Sequence, residues 1–153
     1  MSAVLKVVGL GSGNPDRLTM GIVKTLQQAS QIYVRTKEHP VMSMLEELKL
    51  EVSSFDHIYE AHDSFPEVYA SIADRLLELA SAGDEQSVIV YAVPGHPMVA
   101  ESTVQLLREH CPQKGISLEI LGGESFLDEA FIRLGFDPIE GFQLLDSTGI
   151  RSS

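Results

Sequence analysis

Three short loops hold the residues of this sequence that are best suited to chemistry, and all three are rich in glycine or proline. They are "GLGSGNPDR" at 9–17, "PGHPMVAES" at 94–102 and "GGESF" at 122–126. In loops of this composition, backbone amides and carbonyls face a ligand more readily than side chains do. No nucleophile with an adjacent base and no catalytic carboxylate pair accompanies them. The loops therefore predict binding, and we assign no catalytic residue.

The first loop has the spacing G-x-G-x-G, whereas the dinucleotide fingerprint requires G-x-G-x-x-G. Pro15 and Asp16 then delay the following helix, so its N-terminal amides cannot reach a pyrophosphate. The second predicted strand ends at Arg35 instead of a ribose-binding carboxylate, which leaves only an NADP interpretation through that arginine. A tight strand-to-helix turn is the other alternative. A P-loop is excluded because no Gly-Lys-Ser/Thr follows.

The second and third loops are constrained in different ways. Prolines 94 and 97 flank Gly95-His96 and fix the backbone while removing two N–H donors. His96 has no second histidine, cysteine or carboxylate beside it at a metal-ligand spacing. In the third loop, Ser125 is expected to cap a helix, with Asp128 in position to complete a capping box. That cap is a purely structural explanation of the third loop.

The elements that position these loops follow the pattern of a parallel α/β fold, in which apolar β-branched runs alternate with amphipathic segments. The run 88–93 is continuously apolar, as a central parallel strand buried on both faces should be. We predict strands at Val4–Val8, Gln31–Arg35, Val52–Phe55, Val88–Val93 and Ser117–Leu121, and helices at about 19–29, 66–80, 98–110 and 125–134. Each loop then lies at the carboxyl end of a strand, where open parallel sheets bind ligands.

One more strand is predicted at 141–146, followed by a polar stretch at 147–153. Because no further element follows it, we expect an N-terminal domain over residues 1–121 and an incomplete start of a second α/β domain over residues 122–153. Phe142, Leu144 and Leu145 make this strand apolar, and an uncovered apolar edge favours pairing with another chain. The pattern predicts a homodimer.

Composition excludes several classes of protein. The chain has 153 residues, with 22 acidic against 11 basic side chains, which weighs against a nucleic-acid partner. No apolar run approaches the ~18–20 residues that cross a bilayer, and the N-terminus lacks a secretory signal. A single cysteine, Cys111, suits the reducing cytoplasm. His57 and His62, each beside an aspartate, have a spacing that fits no common zinc pattern, so we predict no metal site.

Taken in order, the three loops resemble the motifs of the class III S-adenosylmethionine (SAM)-dependent methyltransferases, the tetrapyrrole methylase family that includes the precorrin methylases, uroporphyrinogen methyltransferase and diphthine synthase. "VVGLGSGNPDRLT" is similar to the family's opening G-x-G-x-G-[DN]-P-x-x-L-T, and "YAVPGHPMVAE" to its G-D-P-x-x loop. "LGGESFLDEAF" stands in the position of its P-G-[VI]-[ST]-[SA] segment. Gly-His-Pro and the residues after 122 look similar to the methylase-like domain of bacterial proteins that carry a C-terminal MazG pyrophosphohydrolase domain.

The resemblance implies an open parallel αβα sandwich that binds SAM as methyl donor in a cleft between two α/β domains. It also implies methyl transfer to a small-molecule acceptor, with a tetrapyrrole-like compound as the inherited expectation. The family's cofactor contacts carry over to Ser12, Pro94, Gly95, His96, Val99, Glu124, Ser125 and Phe126. His96 departs from the family pattern, because most members have an aspartate where this chain has an imidazole.

Two functions follow from this resemblance. The first is a SAM-dependent methyltransferase, for which Asp16, Arg17 and Tyr91 are candidates on the substrate side. The alternative is a non-catalytic module that binds SAM or a nucleoside for an attached MazG-type hydrolase. The presence of His96 in place of the family's aspartate favours the non-catalytic module.

Overall fold

A parallel sheet of five strands forms the centre of the protein, whose computed structural model describes residues 2–146. All strand pairs are parallel, and the spatial order is β3-β2-β4-β1-β5. The strands are β1 Val4–Gly9, β2 Gln31–Val34, β3 Val52–Ser54, β4 Val88–Val93 and β5 Leu118–Leu121. This architecture confirms the predicted α/β class and open parallel sheet.

Residues 2–146 form six α-helices. They are α1 Met20–Gln28, α2 Met42–Glu47, α3 Asp56–Ala61, α4 Phe65–Ala82, α5 Ser102–Gln113 and α6 Phe126–Leu134. Of these, α1 to α5 contribute side chains to the two cores on either face of the sheet. The sequence did not predict α2 or α3, each of which has only six residues. The predicted helix at 98–110 is shifted, because α5 begins at Ser102 and continues through Pro112 in its last turn.

Alternation along the central strand separates two apolar cores, which makes the fold a three-layer sandwich. In β4, Ile89 and Tyr91 pack into the core beneath α4 and α5, while Val90 and Ala92 pack into the core beneath α1 and α2. These four side chains are at most 1% exposed. β4 is therefore buried on both faces, as its continuous apolar run predicted.

Local signals set where α1 and α6 begin. The side chain of Thr19 accepts a hydrogen bond from the amide of Ile22 and so caps α1. Ser125 caps α6, and the Asp128 carboxylate accepts a hydrogen bond from the Ser125 amide at 2.8 Å, which completes the predicted capping box. A short 3-10 helix at Pro15–Arg17 separates β1 from α1, so the first loop delays its helix as the sequence indicated.

The strand predicted at 141–146 is not formed. These residues have no regular secondary structure and follow a 3-10 turn at Pro138–Glu140. Phe142 instead packs edge-on against Phe131 and Phe136, with ring centroids 5.6 and 6.3 Å apart. The apolar residues of this stretch were misleading, because a strand also needs a neighbour to complete its hydrogen bonds. The domain boundary at residue 121 stays a prediction, and 147–153 lie outside the described residues.

Candidate functional site

The three loops meet at the carboxyl edge of the sheet, where β1 and β4 lie side by side. On the other side of β4 lies β2, whose connection leads outward to β3, whereas the connection after β4 leads the opposite way to β5. The loops after β2 and β4 consequently diverge and open a crevice, which is where open α/β sheets bind their ligands. The third loop follows β5, the other neighbour of β1.

Glycines let these loops pack backbone against backbone. A Cβ atom on Gly9 would lie 2.3 Å from the Gly95 carbonyl oxygen and 2.9 Å from the Gly123 amide nitrogen. Gly11 and Gly95 also form an antiparallel bridge, with N–O distances of 3.2 and 2.9 Å. Side chains at positions 9 and 123 would force the loops apart. The glycine spacing therefore serves loop-to-loop contact.

An open cavity of about 380 Å³ lies between the loops. Most of the predicted cofactor contacts line it together: Ser12, Pro94, Gly95, His96, Val99, Ser125 and Phe126. Glu124 does not line the cavity. Prolines, Val99 and Phe126 make much of the wall apolar, and the polar groups are few, as is usual in small-molecule sites.

Glu124 instead fastens the first loop to the third. It accepts a hydrogen bond from the Ser12 hydroxyl, and the Arg17 guanidinium lies 2.9 Å from its other oxygen. Arg17 also contacts Glu129 of α6 at 2.8 Å. The hydrogen bond and charge of Glu124, with the charge of Glu129, raise the pKa of Arg17. Ser12 thus reaches the cavity from a loop held by two carboxylates.

The imidazole of His96 has a fixed position against the third loop. Its Nδ1 accepts a hydrogen bond from the Met98 amide at 3.0 Å. A Cβ atom on Gly122 would lie 2.7 Å from its Nε2, so the ring occupies space that only glycine leaves free. Because Nδ1 is an acceptor, a neutral ring carries its proton on Nε2.

Sequence reasoning missed the wall of the cavity that follows β2. It comprises Arg35, His39 and Pro40. Gly11, Ala100 and Glu101 also line the cavity, from the first and second loops, but were not predicted as contacts. Arg35 had been considered only for a dinucleotide phosphate, and nothing had singled out His39 or Glu101. The order of the strands was the missing signal, because it places the loop after β2 next to the loop after β4.

His39 connects this wall to the first loop. Its Nε2 lies 3.2 Å from the Gly11 carbonyl oxygen, and its Nδ1 accepts from the Val41 amide at 3.2 Å. Both contacts are satisfied by one neutral tautomer. Burial lowers the pKa of His39, and the charge of Arg35 acts in the same direction. The hydrogen bond with Gly11 opposes them, and the balance favours the neutral form of His39.

Of the three substrate-side candidates, only Arg17 takes part in the contacts between the loops. Asp16 is exposed in the 3-10 turn, and Tyr91 is fully buried under the sheet edge and does not line the cavity. Within residues 2–146, no three His, Cys, Asp or Glu side chains come together as a metal site. In the same part of the chain, no helix has the length and hydropathy to span a membrane.

Comparison with known proteins extends the likeness beyond the loops. The family description "Tetrapyrrole (Corrin/Porphyrin) Methylases" matches residues 4–150. The chain is 50% identical over 147 residues to the uncharacterized protein YabN of Bacillus subtilis, covering 96% of this chain and 29% of that relative. This chain therefore spans less than a third of that curated protein.

Solved structures give the same fold at low identity. A crystal structure of diphthine synthase has a TM-score of 0.69 at 21% identity, over 89% of this chain and 50% of that one. Uroporphyrin-III-C-methyltransferase from Thermus thermophilus has a TM-score of 0.64 at 23% identity, over 89% and 54%. The sheet thus matches about half of each enzyme's chain. By sequence and by fold, this chain belongs to the tetrapyrrole methylase family.

Proposed function

We propose that this chain is a SAM-binding domain of a methyltransferase that acts on a small-molecule acceptor in the cytoplasm. The observation that carries the proposal is the convergence of three separate loops on one cavity at the carboxyl edge of the sheet. Seven of the eight residues expected to contact the cofactor line that cavity together. The family match supports this assignment of the site.

The residues present fit a nucleoside-type cofactor. A cavity of about 380 Å³ lies within the usual range of roughly 300–1,000 Å³ for small-molecule sites. Pro94, Val99 and Phe126 offer apolar contact, and the loops between them offer backbone polar groups. The mutual packing of Gly9, Gly95 and Gly123 brings this backbone to the cavity without intervening side chains. These features suit an adenosine attached to an aliphatic chain.

Bound SAM would supply a methyl group on a positively charged sulfur. The chain's own residues would bind the donor and hold the acceptor in line with that methyl group. Such positioning can supply on the order of 7–11 kcal/mol of catalysis, so no nucleophile or acid–base pair is required. Ser12 and Phe126 would act by contact, and Glu124 and Arg17 by fixing the loop that carries Ser12. A tetrapyrrole-like compound is the acceptor class that the family suggests.

A second function is favoured by the state of His96. Where the family usually has a carboxylate, this chain has an imidazole whose Nδ1 is already occupied by the Met98 amide. A site with fewer free acceptors suits a module that senses SAM or a nucleoside without methyl transfer. Such a module would regulate a MazG-type pyrophosphohydrolase in a longer protein, and the relative of much greater length is consistent with further domains.

Calorimetric titration with SAM and S-adenosylhomocysteine tests the shared part of both proposals. We expect heat from each ligand, and its loss in the double variant Pro94→Ala/Gly95→Val. Gly115→Val is the matched control, because Gly115 has a φ of 68° against 67° for Gly95, with nothing within 4 Å of its added Cβ. No heat from either ligand would refute a SAM site. Binding without methyl transfer to any offered acceptor would favour the regulatory module.

A further inference from the structure

An ion pair between a buried carboxylate and a partly exposed guanidinium forms part of the cavity wall. Arg35 follows β2, Glu101 precedes α5, and the Nη1 and Oε1 atoms are 2.6 Å apart. The Glu101 side chain is 6% exposed, and that of Arg35 is 31% exposed. Replacing a buried ion pair with apolar residues is often neutral or stabilising, so stability alone gives little reason to keep one. This pair also joins two loops that line the cavity.

The backbone beside Glu101 is strained. Ala100 has a φ of 56°, in the left-handed region that residues with a Cβ atom rarely adopt. Glu101 occupies the N-cap position of α5, yet its side chain makes no capping hydrogen bond and contacts Arg35 instead. Strain of this kind persists where the surrounding structure holds a residue in place for binding or catalysis. The strained residue thus directly precedes the glutamate that contacts Arg35.

Behind the pair lies a polar group with no partner. The Tyr91 hydroxyl is fully buried and forms no hydrogen bond within residues 2–146. Burial raises its pKa well above the ordinary value, and the charges of Glu101 and Tyr59 act in the same direction. Burial also raises the pKa of Glu101, against the effect of Arg35. The Tyr91 hydroxyl and the Glu101 carboxylate thus share water-poor surroundings at this wall of the cavity, close enough for the charge of one to act on the other.

Arg35 retains hydrogen-bonding capacity toward the cavity. A guanidinium has five N–H donors, and among the described residues the side chain of Arg35 donates only from Nη1 to Glu101. We propose that Arg35 is an anion-binding subsite that takes a carboxylate or phosphate of a bound small molecule. Glu101 is its positioning residue. The inference rests on the proposed function, since the anion would belong either to SAM, through its carboxylate, or to the methyl acceptor.

Nuclear magnetic resonance of the ¹⁵N-labelled chain tests the subsite directly, with propionate and methyl phosphate as probes at constant ionic strength. We expect a saturable shift of the Arg35 Nε–H signal and of the Ala100 and Glu101 amides. The amide shifts should be lost in Arg35→Gln. They should also be lost in Arg35→Gln/Glu101→Gln, which leaves no unpaired carboxylate buried. Equal shifts in the double variant, or no saturable shift in the parent chain, would overturn the proposal.

Arg75→Gln is the matched control, because Arg75 pairs with Glu78 at 3.5 Å on the exposed surface of α4. This variant should keep the parent's anion shifts. Uniform loss in both arginine variants would show a non-specific charge effect and would also overturn the subsite.

Calorimetry then identifies the source of the anion, using SAM and its decarboxylated analogue. If Arg35→Gln weakens SAM about ten- to hundredfold and leaves the analogue unchanged, the subsite holds the donor's carboxylate. If the affinity for SAM is unchanged, the subsite holds an anion of the acceptor. A chain that shifts with the anions but binds neither SAM nor S-adenosylhomocysteine would keep the subsite and refute the proposed function.

Discussion

Gly9→Ala tests whether contact between the loop backbones builds the cavity. The added Cβ would lie 2.3 Å from the Gly95 carbonyl oxygen, and real Cβ atoms essentially never come closer than 3.0 Å. The first and second loops must therefore separate by about 0.7 Å. Both close neighbours are backbone atoms, so rotation of a side chain cannot relieve the contact.

The loss of stability in Gly9→Ala has two sources. The added methyl group overpacks the contact, and it distorts the neighbouring bridge between Gly11 and Gly95. Overpacking costs about 1–3 kcal/mol, and each Gly11–Gly95 hydrogen bond contributes roughly 1 kcal/mol. In a domain of this size, the overpacking alone should lower the melting temperature by about 3–10 °C. A shift of this scale at a ligand site should also weaken SAM binding at least about tenfold.

Thermal unfolding followed by circular dichroism and calorimetry with SAM measure the two effects separately. Gly21→Ala is the control, because Gly21 lies in α1 and its added Cβ meets only the Thr19 hydroxyl at 3.9 Å. Alanine should stabilise that helix by about 0.5–1 kcal/mol. If Gly9→Ala behaved like Gly21→Ala in both measurements, the close packing of the loops would not be what shapes the site.

Three further predictions concern the wall of the cavity, the core and the surface. The pKa of His39 is lowered on folding, so its contribution to stability is present above the ordinary value of 6.5 and is lost as pH falls through the folded pKa. Urea unfolding from pH 8 to pH 5 should show the parent chain losing more stability than His39→Gln; parallel curves would contradict this. Tyr91→Phe removes a buried hydroxyl without a described partner and should raise the free energy of unfolding by about 1 kcal/mol, measured in urea. A lower free energy of unfolding would reveal an overlooked hydrogen bond. The chain should self-associate through its exposed apolar residues. In light scattering, the variant Phe142→Ser/Leu145→Ser should be more monomeric than the parent chain. A monomeric parent chain would be evidence against the homodimer.

Sequence patterns identified the strands and helices in which buried apolar residues recur at a regular spacing. The central strands were predictable, because parallel strands covered on both faces require continuous apolar runs such as 88–93. Helices α2 and α3 were missed, because six residues make fewer than two turns and show no clear period. The strand expected at 141–146 had apolar residues, but hydrogen bonding between strands depends on neighbours that a local apolar stretch does not specify.

The same distinction applies to the site. Its glycine and proline loops could be recognised in the sequence because backbone shape restricts them to a few residue types. The ion pair of Arg35 and Glu101 joins positions 66 residues apart and leaves no local pattern. Only the order of the strands, with β2 next to β4, brings the two side chains together.

The bridge between Gly11 and Gly95 has a consequence for how a ligand enters. It adds an antiparallel bridge just beyond the ends of the parallel strands β1 and β4, so two backbone hydrogen bonds hold the first and second loops together at the cavity. Phe126 of α6 and the imidazole of His39 line the same cavity through their side chains. Rotating a side chain is easier than breaking paired backbone bonds. We therefore expect an entering ligand to displace these side chains and to leave the paired loop backbones in place.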